Sequence, residues 1–188
     1  MKQYLIAIAF LSGALLVRGQ GTPVWDQGDT GFVDGFALLN NQPLGQSFTP
    51  SFSSIGVVEL WLGDNSAGSG DIAVNVRSGS ITGTILGTTA SLSYSTTGMY
   101  DFLFSDPIAL TPGTKYFLQP FALSGSGVGA NLVNSPSFTG GAIYGGTVHM
   151  GFNFWFQEGI VGNVPEPSSA ALCIVVVSVL IWHHKKRP

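Results

Sequence analysis

The sequence predicts an all-β body, an antiparallel β-sandwich, on three observations. Apolar and polar residues alternate with a period of two, turn-forming residues recur at roughly ten-residue intervals, and the chain contains 26 glycines. A period of two gives each strand one buried and one solvated face. Glycine disfavours long helices, and short strands between frequent turns are typical of two packed sheets.

The strands are predicted in order along the chain. Ile55 to Leu62 is apolar on both faces except at Glu59, as in a central strand covered on both sides. Ile72, Val74 and Val76 alternate with polar neighbours and predict the next strand. The other predicted strand segments are Thr84 to Tyr94, Tyr100 with Phe102 and Phe104, Lys115 to Phe121, and Phe152 with Phe154 and Phe156 on one face.

Turn-forming stretches separate these segments. Pro112 and Gly113 suit the two central positions of a type II turn, because proline fixes a negative φ and glycine accepts a positive one. The other stretches are Gly63 to Ser66, Ser78 to Ser80, Thr96 to Gly98 and Ser124 to Gly129.

The first residues have the composition of a secretory signal peptide. Lys2 supplies a positive start, Tyr4 to Val17 is apolar, and Val17-Arg18-Gly19 provides a cleavage position. We expect residues 1–19 to be removed after Gly19. The alternative is an uncleaved anchor, but a bilayer span needs about 20 apolar residues.

The last residues predict a membrane segment, residues 164–188, that follows an exported domain of residues 20–163. Ala170 to Trp182 carries no charge, and Lys185, Lys186 and Arg187 follow it. Basic residues stay on the cytoplasmic side of a span, so the domain is expected outside the inner membrane. The apolar run is short for a 30 Å hydrocarbon core, which suits a temporary anchor.

Pro165, Glu166 and Pro167, followed by the apolar run and the basic residues, resemble the PEP-CTERM sorting signal of Gram-negative bacteria. The resemblance implies recognition of these three residues by an exosortase, a membrane-embedded cysteine protease, and a role at the cell surface or with exopolysaccharide. The alternative is an ordinary single-pass anchor whose prolines only begin the helix. The Leu-Pro-x-Thr-Gly box of sortase substrates is missing.

A second resemblance concerns the body. The run Leu44 to Pro50, the segments Ile55 to Leu62 and Phe102 to Phe104, and Leu110 to Phe117 are similar to jelly-roll-like surface domains of exported bacterial proteins. The resemblance implies a jelly-roll-like sandwich and no particular chemistry.

Charge and cysteine content exclude some functions. The domain of residues 20–163 contains nine acidic residues and only Arg77 and Lys115 as bases, a net charge of about −7. Such a domain has no electrostatic attraction for nucleic acid. Cys173, the single cysteine, lies in the predicted span, so no disulfide stabilises the domain.

Catalytic and metal-binding patterns are weak, and we predict no enzyme and no cofactor. His149 is the one histidine of the domain, and no Gly-x-Ser-x-Gly motif occurs. Glu59 is the one acid in an apolar context, which keeps an acid-residue glycoside hydrolase as a remote alternative. A structural calcium at Asp26, Asp29 and Asp34, or at Asp64, Asn65 and Asp71, stays an alternative, although neither spacing matches a calcium loop and solvated loop acids are the default interpretation.

Trp61 and Trp155 are the candidates for ligand contact, because a tryptophan face can stack on a sugar ring. Core packing is the competing interpretation for both side chains. We therefore expect a non-enzymatic protein of the cell surface or extracellular matrix, sorted through its C-terminal segment. The alternative from another class is a carbohydrate-binding module that acts on exopolysaccharide.

Overall fold

The structure, a computed structural model, describes residues 21–31, 34–38, 40–64, 69–125, 128–134, 140–149 and 152–162. Contacts divide the chain into two units, residues 1–22 with 162–188, and Pro23–Val161. The second unit contains every strand described below. The predicted signal peptide and the segment of residues 164–188 lie outside the described residues. Among the residues that are described, no helix is long and apolar enough to cross a bilayer.

All the regular secondary structure in the described part of the chain is β-strand. The strands are β1 (Pro23–Asp29), β2 (Asp34–Ala37), β3 (Gly45–Phe48), β4 (Ser54–Asp64), β5 (Gly70–Ser78), β6 (Thr84–Thr88), β7 (Leu92–Tyr94), β8 (Gly98–Ala109), β9 (Tyr116–Ala122), β10 (Val128–Asn134), β11 (Gly141–Tyr144), β12 (Thr147–His149), β13 (Phe152–Phe154) and β14 (Phe156–Val161). The prediction of an all-β, antiparallel fold is confirmed, since every pairing between these strands is antiparallel.

The strands form two seven-stranded sheets. The first sheet has the order β1-β14-β4-β10-β13, with β8 paired to β4 and β2 paired to β10. The second sheet has the order β12-β11-β3-β9-β5-β6, with β7 paired to β5. The first and last strands of the unit are neighbours, with Pro23 opposite Val161.

Both sheets contribute side chains to one buried apolar cluster. Val58, Leu60 and Phe102 come from the first sheet, and Val74 and Leu118 come from the second. Ile72, Val74 and Val76 are fully buried, which confirms the apolar face predicted for this strand. The solvated face predicted opposite them is wrong, because Ala73 and Asn75 are buried too. The core therefore forms where the apolar faces of the two sheets meet.

Tight turns hold several of these strands in place. Gly113 has a φ of +76°, the conformation that the predicted type II turn requires at its third position. The Tyr116 hydroxyl then accepts a hydrogen bond of 3.0 Å from the amide of Thr111. The turn thus positions the first aromatic side chain of β9.

Two predicted segments differ in detail from the structure. Thr84 to Tyr94 divides into β6 and β7, because the Thr89 hydroxyl accepts a hydrogen bond from the amide of Val74 in place of a continuous ladder. The segment predicted from Phe152, Phe154 and Phe156 is divided by a bend at Trp155 into β13 and β14. Phe154 and Phe156 are buried, whereas Phe152, at the start of β13, is exposed.

Candidate functional site

The outer face of the first sheet carries a line of polar side chains across three strands. Gln157 of β14 lies opposite Glu59 of β4, and Glu59 lies opposite Asp101 of β8. Residues that are directly opposite in an antiparallel pair point to the same side of the sheet. We call these three residues the acidic row. Because Val58 and Leu60 on either side of Glu59 are buried in the core, the acidic row faces away from it.

The two carboxyl groups of the acidic row affect each other. Burial raises the pKa of Glu59, and the negative charge of Asp101 raises it further. Burial also raises the pKa of Asp101. Neither shift includes a contribution from a basic side chain, and Arg77 instead donates hydrogen bonds to Gln119 and Gly83. The acidic row therefore places two carboxyl groups with raised pKa values side by side on one face of the sheet.

Trp61 lies beside the acidic row, two positions beyond Glu59 on the same face of β4. Its side chain is half-buried, and its cross-strand partner Met99 is 57% exposed. The indole Nε1 of Trp61 is buried and has no acceptor among the described residues. A polar row beside a partly exposed indole is an arrangement that can bind a sugar ring.

Trp155 packs against Trp61, with 5.8 Å between the ring centroids and 70° between the ring planes. This edge-to-face geometry is favourable for aromatic pairs. The indole of Trp155 donates a hydrogen bond of 2.8 Å to the carbonyl of Thr30, and the residue is only 7% exposed. Trp155 is thus a buried packing partner of Trp61, and Trp61 is the more exposed of the two residues.

The other residues singled out in the sequence lie elsewhere. Asp26 accepts hydrogen bonds from Ser51 and Phe52, and Asp29 accepts one from Asn153. Asp71 accepts hydrogen bonds from Ser93 and Ser124, which lower its pKa. Within the described ranges, no three His, Cys, Asp or Glu residues are grouped as metal ligands would be. His149 lies in β12 and is half-buried.

Several predicted residues cannot be placed on this site. The sorting residues Pro165, Glu166 and Pro167 and the basic residues Lys185, Lys186 and Arg187 lie outside the described residues, as does Asn65. The side chains of Asp34 and Asp64 are likewise outside the description. A cavity of about 510 Å³ lies between β6 and β8, and its lining contains no residue of the acidic row.

The structure also shows polar residues that the sequence analysis missed. Glu158 of β14 is fully buried, and its Oε1 accepts a hydrogen bond of 3.0 Å from Gln27. Gln46 and Asn153 are fully buried as well and share a hydrogen bond of 2.9 Å. The only signal in the sequence is a polar residue at a position where the strand alternation calls for an apolar one, as at Glu158 two positions after Phe156.

Comparisons with known proteins give no relative: no family model, no curated protein and no solved structure matches this chain.

Proposed function

We propose that this chain is an exported bacterial protein of the cell surface or extracellular matrix, whose body binds exopolysaccharide without catalysing a reaction. The proposed body is a jelly-roll-like β-sandwich, supported by two antiparallel sheets that contribute to one buried cluster. The proposed export signal is residues 1–19. The proposed anchor is residues 164–188, which would insert in the inner membrane and be recognised by an exosortase-type protease at Pro165 to Pro167.

One observation carries the binding proposal: a partly exposed tryptophan shares a face with a row of hydrogen-bonding side chains. A pyranose ring has apolar C–H faces and a polar rim, so it combines stacking on an indole with hydrogen bonds to neighbouring carboxylate and amide groups. Trp61 supplies the first element and the acidic row supplies the second. Open sheet faces suit long polymers, because a chain of sugars can extend across several strands.

The experiment is binding of the full-length chain to an array of bacterial exopolysaccharides, followed by titration calorimetry with the best ligand. Removing a stacked ring costs about 1–3 kcal/mol, so Trp61→Ala should weaken binding by about one to two powers of ten. Glu59→Gln should weaken it less, because glutamine keeps an acceptor oxygen and loses only the difference between a charged and a neutral hydrogen bond, about 1 kcal/mol. Val148→Ala, a 51% exposed position in β12, is the matched control and should bind normally.

A second candidate, an acid-residue glycoside hydrolase, is favoured by the directly opposed pair Glu59 and Asp101. Two carboxyl groups with separated roles are the usual machinery of glycoside cleavage. The same ligands should be incubated with the protein and analysed for shorter products. Cleavage that disappears in Glu59→Gln would establish the hydrolase and overturn the proposal of binding alone, and intact ligand would support binding. If the protein bound no polysaccharide on the array, both candidate functions would be contradicted.

A further inference from the structure

Among the acids of the first sheet whose side chains the structure describes, Glu158 is the buried one, and a second acid raises its pKa. Glu158 has no solvent-accessible surface in the described structure, and its Oε2 receives no hydrogen bond from an N–H or O–H donor among the described residues. A buried, ionised carboxylate without donors is costly. Some other atom must therefore balance the charge of this oxygen, or the group must be neutral.

The neighbouring acid is Asp26 of β1, and a β-bulge places it there. The register of β1 and β14 shifts between the pairs Trp25–Gly159 and Gln27–Glu158, so that Asp26 is the extra residue. Bulges of this kind re-aim side chains. Both oxygens of Asp26 already accept hydrogen bonds: one from the amides of Ser51, at 2.6 Å, and Phe52, at 2.9 Å, and the other from the Ser51 hydroxyl. Both oxygens of Asp26 are thus already used as hydrogen-bond acceptors.

The effect of this arrangement on Glu158 is large. Burial, together with the charge of Asp26 and a hydrogen bond to Asp26, raises the pKa of Glu158 to about 7, against the opposing hydrogen bond from Gln27. Burial is the largest of these causes, and Asp26 adds to it.

Among the described residues, no other charged group interacts with the carboxyl group of Glu158. Asp29, the other acid of β1, accepts a hydrogen bond from Asn153. Glu59 of β4 and Asp101 of β8 belong to the acidic row on the opposite face. No basic side chain contributes to the raised pKa of Glu158.

The second sheet does not supply a compensating charge either. Tyr94 and Tyr116 are the titratable side chains that it contributes to the core cluster. Arg77 is bonded to Gln119 and Gly83, Lys115 is exposed, and His149 lies in β12. A proton is what allows Glu158 and Asp26 to lie together.

We propose that the buried Glu158 and the half-buried Asp26 form a proton-binding pair, and that release of its proton loosens the pairing of β1 with β14. On release, two negative carboxylates face each other inside the sheet. β1 is an edge strand that pairs with β14 alone, so its outward movement separates them most easily. That movement also weakens the hydrogen bonds that fasten Ser51 and Phe52 to Asp26. The pair thereby makes the junction of the domain's first and last strands sensitive to pH.

The sign of the effect on stability follows from linkage. In the folded state Glu158 holds its proton up to about pH 7, whereas in the unfolded chain it releases it near the ordinary value of 4.5. Stability from this group is fully present below pH 4.5 and is lost as pH rises to about 7. The unfolding equilibrium constant should therefore increase by about 100- to 300-fold over this interval through this group.

The direct experiment is a carbon-13 NMR titration of the full-length chain with labelled glutamate carboxyls. The chain has only three glutamates, Glu59, Glu158 and Glu166, so substitution of each by Gln assigns the signals. The Glu158 signal should titrate near pH 7, and Asp26→Asn should move its midpoint to lower pH. A Glu158 midpoint near 4.5, or one that Asp26→Asn leaves in place, would overturn the proposal.

Amide hydrogen exchange tests the structural consequence. Between pH 6 and 8, a range of roughly one unit either side of the expected midpoint, β1 amides of the natural chain should exchange increasingly faster than those of Glu158→Gln at the same pH. Comparison at equal pH removes the intrinsic dependence of exchange on hydroxide. Glu59→Gln is the matched control, since this acid is only partly buried, and it should leave the difference unchanged. Equal β1 exchange in the natural chain and Glu158→Gln at every pH would contradict the loosening, and the NMR titration keeps the test valid if Glu158→Gln does not fold.

Discussion

Gln46 connects the two sheets by hydrogen bonds inside the core. Its Nε2 donates to Asn153 Oδ1 at 2.9 Å, and its Oε1 accepts from the amide of Phe154 at 2.8 Å. Asn153 extends the connection to Asp29 at 3.2 Å. Gln46 lies in β3 of the second sheet, whereas Asn153 and Phe154 lie in β13 of the first. A buried amide with both ends bonded fixes the alignment of the sheets in a way that apolar contact does not.

Replacing Gln46 by Leu tests this connection. The free energy of unfolding should fall by about 1–3 kcal/mol for each buried polar group that loses its Gln46 partner. These groups are Asn153 Oδ1 and the amide of Phe154. Gln157→Leu, on the outer face, is the matched control and should change stability by about 0.5 kcal/mol or less. Urea unfolding at constant pH measures both changes. Equal midpoints for the two variants would show that the buried amide contributes no more than a surface one.

The sequence could not predict which polar and aromatic side chains of the strands are buried and which of them are in contact. Glu158 lies two positions after the buried Phe156, so alternation places it on the core face, whereas its charge is typical of a solvated position. The pairing of β14 with β1 and β4 shows that Glu158 is buried. The same holds for Trp61 and Trp155. Their contact depends on the bend that separates β13 from β14, which no alternation pattern contains.

At the level of elements, prediction succeeded where the pattern is local. Alternation in Ile72 to Val76 identified β5, and the apolar run from Ile55 identified β4 with its single acid. It failed for β1, β2, β10, β11 and β12, for which no strand was predicted, and the turn stretch predicted at Ser124 to Gly129 overlaps the start of β10. Such strands exist because a partner strand provides hydrogen bonds, and pairing between distant parts of the chain is absent from a local pattern.

The contact between β1 and β14 depends on a glycine at its centre. A Cβ atom at Gly159 would lie 2.1 Å from the carbonyl oxygen of Val24 and 2.9 Å from the Cα of Trp25. Both atoms belong to the backbone, so a side chain could be accommodated only if β1 moved. Gly159 thus allows the edge strand to approach closely.

Gly159→Ala should therefore destabilise the domain by about 1–3 kcal/mol, as overpacking does, and should increase amide exchange in β1 first. Gly98→Ala is the matched control, because its Cβ would meet nothing closer than a Tyr100 side-chain atom at 4.0 Å. That variant should be neutral or slightly stabilising, since alanine reduces the entropy of the unfolded chain. Thermal unfolding and hydrogen exchange measure both variants. A Gly159→Ala protein as stable as Gly98→Ala would contradict the close approach of the two strands.

At the level of the whole molecule, the domain joins its first and last strands at one place. Pro23 and Val161 are opposite each other, so the chain enters and leaves the domain side by side. The acidic row lies on the same sheet, on the face turned away from the core. The two ends of the domain are therefore neighbours on the sheet whose outer face carries the acidic row.

The most direct measurement of the proposed function is mass spectrometry of the mature protein, taken from the surface fraction of a bacterium that produces an exosortase. We expect an N-terminus at Gln20, because the proposed signal peptide should be removed during export. We expect a C-terminus between Pro165 and Ser168, because the proposed sorting signal should be cleaved there. The variant with Pro165, Glu166 and Pro167 all replaced by alanine should keep the new N-terminus and retain its tail in the inner membrane. A surface-located protein that still ends at Pro188, or a full-length chain recovered from the cytosol, would contradict the proposal.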